Sequence, residues 1–421
     1  MNGTPNYKRT KFACYTAYFT MSSVFCVPPL LFVTLRDTYG ISYTLLGTLV
    51  LVTFVTQLAI DLVFTLFSKH FNTALTVRVM PVITALGLFV FAAVPMLFPE
   101  LAYFGLVLGT VIFSISAGLS EVLLSPTIAA IPSDNPQRDM SFLHSLYAFG
   151  VLFMVVFSTV FLRIFGTDRW MWLVFILALF PLVAAIMFMI SPMPDMTGGE
   201  GGATVRNTKE RAVALALFFG CIFFGSCAEC AMSSWISGFM ENAVGIDKTL
   251  GDIIGAAGFA VLLGIVRFSY SRFGKSISPI LLVGMIGSTV CYIVVGLSGS
   301  TVLSIIACVF TGLFSSMLWP GTLILMEEKL KAPGVTAFAL LAAGGDLGAS
   351  VSPQLMGIVI DTVSASGFAA ELAPTLGISA EQLGLRVGML TNAIFPIIGV
   401  AVLLITFRYC KKHREALLFE K

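Results

Sequence analysis

The chain has 421 residues, of which 57% are hydrophobic and 11% charged, with a mean hydropathy of +0.97. Such a composition excludes a soluble globular protein, and a formal net charge of +2 sets up neither a nucleic-acid nor an acidic partner. Many apolar runs reach the roughly 20 residues that cross a bilayer, which predicts an all-α polytopic membrane protein.

In chain order, six spans are predicted near 11–35, 43–69, 77–99, 101–132, 139–165 and 169–190. The basic start MNGTPNYKRTK leads into an apolar run without a signal-peptidase site, so the run is read as a retained first span. The polar, Gly-rich stretch SPMPDMTGGEGGATVRNTKE then has the composition of a flexible linker. Six further spans follow near 211–241, 249–273, 278–297, 300–326, 333–361 and 385–410. The expected domains are an N-terminal six-helix bundle (1–190), a cytoplasmic linker (191–209) and a C-terminal six-helix bundle (210–421).

The basic residues test this division. With a cytoplasmic N-terminus, only Arg36, Arg163, Arg169, Lys248 and Arg386 of the 24 Lys and Arg fall outside. The positive-inside rule then puts both termini in the cytoplasm of a multi-pass plasma-membrane protein. The halves also share short matches: Gly118-Leu119 with Pro126 and Gly312-Leu313 with Pro320 keep one offset, which also carries Gly150 onto Gly344. Equal span counts and these matches favour two pseudo-symmetric bundles made by internal duplication.

A carboxylate at mid-bilayer costs roughly 2.5–3.5 kcal/mol on insertion scales, so acids inside spans point to function. Four sit there: Asp61 in span two, Glu121 in four, Glu229 in seven and Asp346 in eleven. At about 1.5 Å per residue, Glu121 and Asp346 lie roughly 16 and 18 Å from the inner ends of their helices, near the midplane. Each acid belongs to a polar stripe with helical spacing: Thr53, Gln57 and Asp61; Gly118, Glu121 and Ser125; Ser226, Glu229 and Ser233; Asp346, Ser350 and Gln354. The hydroxyls have a structural alternative, bonding back to their own helix.

Away from helix ends, Arg267 is the one candidate base, which suits a neutral or cationic solute, or protons, better than an anion. Trp235, Trp319 and Tyr147 offer aromatic faces for a sugar or a cation. His144, one turn from Tyr147, could relay protons. Pro28-Pro29, Pro126 and Pro320 should interrupt their helices. The eight cysteines are scattered, and Cys227-Ala-Glu-Cys230 has no second pair, so neither a disulfide framework nor a metal site is expected. No ATP-binding loop, zinc-protease motif or nucleophile elbow occurs, which argues against an enzyme and against a cofactor other than a proton gradient.

Over essentially its whole length, this pattern resembles the major facilitator superfamily. Within it, Glu121-Val-Leu-Leu-Ser125-Pro126 resembles the fourth helix of fucose-permease-like sugar:proton symporters, with Ser125 where Asn is usual. His144, Tyr147 and Gly150 resemble their fifth helix, and Glu229 with Trp235 is similar to a pair in related sugar carriers. Two features depart from the pattern: residues 12–35 hold no carboxylate, and Phe64–Lys69 has Ser68 where the signature loop has Asp.

The resemblance implies a monomeric secondary transporter that alternates access between its bundles and moves a small neutral solute, most readily a sugar, with protons. Glu121, Asp61 and His144 would handle the proton. Gln57, Tyr147, Glu229, Trp235, Trp319 and Asp346 would meet the solute. The alternative is a proton-antiport exporter of drugs or metabolites, which the same fold supports.

Overall fold

Only helices and turns occur among the described residues of the computed structural model, which are 6–67, 70–134, 136–194, 209–274, 276–331 and 334–418. Among them, ten helices are long and apolar enough to cross a membrane, and two bent helix pairs bring the number to twelve when each counts as one span. Most of the expected linker lies outside the described residues.

Proline explains the first bent pair. Lys8–Leu30 and Phe32–Tyr39 meet at 47°, directly after Pro28 and Pro29. Neither proline has an N–H, so the carbonyls of Val24 and Phe25 lose their helical donors, and the rings crowd the preceding turn. Pro126 has a smaller effect than expected. Ala102–Ala129 runs through it as one helix, because only three residues follow before the helix ends. At Pro320 the helix does break, into Thr301–Ser315 and Leu318–Lys329.

The second bent pair, Ala337–Ser364 and Gly367–Thr375, turns by 80°. Here the structure adds helix where the sequence reading left a connection. Ser366 caps the new helix by accepting from the Ala369 amide at 3.2 Å. Ser379 and Gln382 form a capping box that starts Ala380–Asn392. Ala369, Ala373 and Leu383 bury a small apolar cluster between these pieces.

The chain divides into two compact units, Met1–Ile41 with Val52–Glu200, and Ser42–Leu51 with Gly201–Lys421. In the first, Thr73–Leu97 and Ala102–Ala129 pack closely, and Ser116 Oγ bonds both Thr84 Oγ1 and the Met80 carbonyl. An apolar cluster including Cys14, Phe64, Met80, Leu124, Leu143 and Phe188 closes one end of this bundle. Beside it, Asp139 pairs with Lys11 and accepts from Ser133 and Tyr15.

In the second unit, Lys209–Asn242 packs against Gly334–Ser364 and Ile394–Lys412. Span two begins in this unit rather than in the first. The Asp361 carboxylate accepts from the Tyr43 and Thr44 amides at 3.1 and 2.6 Å, occupying donors that the first turn leaves open. Tyr43 also donates to Glu381 and accepts from Asn242 Nδ2 at 3.0 Å. In both units large apolar side chains face outward, among them Phe89, Ile186, Ile265 and Val283, as hydrocarbon surroundings require.

Candidate transport site

In the first unit, spans two and four bring three of the expected residues together. Gln57, Asp61 and Glu121 meet because Gly118 lets the two helices touch. A Cβ at position 118 would lie 3.0 Å from both the Gln57 carbonyl and Asp61 Oδ1. Gln57, 2% exposed, donates its side-chain amide to the Glu121 carboxylate. Oxygens of Asp61 and Glu121 lie within 4.8 Å of each other. Asp61 Oδ1 is buried without a hydrogen-bond partner among the described residues. No Lys or Arg pairs with either acid among those residues.

Two carboxylates this close in an apolar bundle repel each other when both are ionised, and one proton between them removes the repulsion. The arrangement can therefore take up and release a proton, or accept a hydroxyl or a cation at its oxygens.

Tyr147 lies beside this group of helices, edge-on to Tyr18 and Phe25 with ring centres 6.5 and 6.0 Å apart. Phe25 in turn meets Phe54, one turn before Gln57 on span two, at 5.5 Å. The His144 side chain lies outside the described residues.

In the second unit, the expected residues have defined surroundings of their own. Glu229 faces Arg267, whose Nη2 donates to both carboxylate oxygens at 3.0 and 3.1 Å. Trp235 is 1% exposed; its indole N–H donates to the Pro353 carbonyl at 3.1 Å and its ring lies 5.6 Å from that of Tyr43. Trp319 lies against Gly345, where any Cβ would collide with its ring, and the next residue, Asp346, is buried. Ser233 and Ser350 donate to carbonyls three residues back, the structural role open to such hydroxyls.

Three acids of the second unit were not singled out from sequence. Asp361 and Glu381 hold the start of span two, and nothing local marks partners more than 300 positions away. Asp252 is buried in the π-helical turn Gly251–Ala257, accepts from Ser237 and lies 3.7 Å from Lys248. The four-residue spacing of Lys248 and Asp252 is the signal that would have found this pair.

Two helical units with acids buried in their spans define a membrane transporter of the secondary class. The chain belongs to the Major Facilitator Superfamily, whose family model matches residues 12–353. No curated protein matches the sequence. Among solved structures, a bacterial homologue of the human lysosomal transporter Spinster is 15% identical, with 98% of this chain and 99% of that one covered and a TM-score of 0.74. A D-xylose-proton symporter is 14% identical, with 93% and 97% covered and a TM-score of 0.74. The nucleoside transporter NupG is 15% identical, with 94% and 99% covered and a TM-score of 0.68. At these identities the likeness establishes the fold alone.

Proposed function

We propose that this transporter carries a small neutral solute, most readily a sugar, in symport with a proton across the plasma membrane. The observation that carries the reading is the contact of Gln57, Asp61 and Glu121 in the first unit. Glu121 takes the proton with Asp61 beside it, and Gln57 holds the Glu121 carboxylate in place. His144 serves the inner release path. In the first unit Gln57 meets hydroxyl groups of the solute and Tyr147 supplies an apolar face. In the second, Asp346 meets hydroxyl groups, Trp235 and Trp319 supply apolar faces, and Glu229 is held by its Arg267 partner. The sugar assignment draws support from the D-xylose-proton symporter's similar fold and from the likeness of Glu121–Pro126 to fucose-permease-like carriers.

One observation favours proton antiport of an organic cation as a second reading. Among the described residues, Asp61 and Glu121 have no basic partner, and the same unit holds a run of aromatic rings, Tyr18, Tyr147 and Phe25, features that suit positive charge. Thermal stability of the purified protein, measured with sugars, polyols and lipophilic amines at an acid and a neutral pH, separates the two. Stabilisation by a sugar that changes with pH supports the symporter. Stabilisation by amines alone replaces it with the exporter.

A further inference from the structure

Span ten breaks at Ser316–Met317, four residues before Pro320. In an uninterrupted helix the residue 320 amide would donate to the Ser316 carbonyl, but proline has no N–H to give and its ring pushes that carbonyl aside. Ser316 is fully buried, so no solvent replaces the missing donor. The replacement comes from span eight: Arg267 Nε donates to the Ser316 carbonyl at 2.8 Å. Nη2 of the same guanidinium, meanwhile, holds both oxygens of Glu229 on span seven. One planar fork thus joins three helices at the break, and Lys could not reproduce it with a single ammonium. Immediately after the break, Trp319 lies on Gly345 beside Asp346.

We infer that Arg267 is a positioning residue of the second unit. It supplies the donor that Pro320 removes, and by fixing the break it sets where Trp319 lies against span eleven. Glu229 keeps the guanidinium aimed at the carbonyl, which makes its part in solute recognition indirect. Only the solute that Trp319 would meet depends on the transport reading. The measurements below use no solute, so failing them would leave that reading intact.

The test is a double-substitution cycle on the purified full-length protein. Pro320→Ala returns an amide N–H to the Ser316 carbonyl, so Arg267→Met should lower the thermal midpoint at least twice as far in the native background as in Pro320→Ala. Glu229→Gln, which loosens the aim of the guanidinium, should likewise lower it further in the native background than in Pro320→Ala. The second readout is the emission of Trp319, taken as the difference between spectra with and without Trp319→Phe. It should shift to longer wavelength in Arg267→Met and shift less in Arg267→Lys. Equal Arg267→Met losses in the two backgrounds, or a Trp319 emission that ignores position 267, would overturn the proposal. Should Arg267→Met not fold alone, the comparison runs with Arg267→Lys, where the same inequality is expected and its absence is equally decisive.

Discussion

Gln57 donates its side-chain amide to the Glu121 carboxylate from one helix to the next, with Asp61 a turn further along the same face. Glycine at 118 eases this contact: a Cβ there would lie 3.0 Å from the Gln57 carbonyl, tight enough that the neighbours would have to give by tenths of an ångström.

Gly118→Leu should therefore separate spans two and four. Overpacking of this kind destabilises by about 1–3 kcal/mol. Uptake should fall far more than the thermal midpoint does, because the Gln57–Glu121 contact is lost while the rest of the bundle survives. Gly118→Ala, which asks its neighbours to give by tenths of an ångström, should keep most of the uptake. Paired uptake and melting measurements on both variants check this.

The cap on span two yields a second expectation. Asp361 accepts from the Tyr43 and Thr44 amides at the positive end of that helix. Loss of a helix cap costs roughly 0.5–2 kcal/mol. Asp361→Ala should lower the melting midpoint accordingly, and Asp361→Asn, which keeps an acceptor oxygen, should recover more than half of the loss. Equal midpoints for the two variants would count against the capping role.

Asp139 sits ahead of the apolar window that begins at Ser145, and it gives a pH dependence. Burial alone would raise its carboxyl, but hydrogen bonds from Lys11, Ser133 and Tyr15, together with the Lys11 charge, outweigh that and hold it below the usual carboxylate range. A group lowered by folding contributes stability that is present above its unfolded value, about 3.9 for Asp, and lost as pH falls through the folded value. The melting midpoint should therefore fall on acidification below about pH 4, and fall less steeply in Asp139→Asn. Parallel acid limbs in the two proteins would remove Asp139 as the cause.

Much of the fold could be read from composition, because apolar runs of bilayer length are a one-dimensional signal. The prolines were legible only as helix breakers. Pro28-Pro29 bend a span, Pro126 is carried through, and Pro320 opens a break, according to where each lies in its helix and what replaces the missing donor. Within the site, the cost of burying Glu121 and the Gln57–Asp61 spacing pointed to faces that the structure brings into contact. Register between helices was invisible, so the part Gly118 plays, the Arg267–Glu229 pair and the Asp361 cap could not be foreseen. Arg267 stood out as the lone candidate base, yet its second acceptor is the carbonyl that Pro320, lacking an N–H, leaves without a helical donor. Asp252 escaped notice because it lies close to a helix end, where an acid is unremarkable.

Proton movement by Glu121→Gln in proteoliposomes tests the central claim most directly, using the sugar that stabilises the purified protein. Gln keeps the size and the hydrogen-bonding capacity of Glu but cannot release a proton. Sugar addition should no longer make the outside medium alkaline, while counterflow exchange of the sugar continues at close to its native rate. Undiminished alkalinisation in Glu121→Gln would contradict the account.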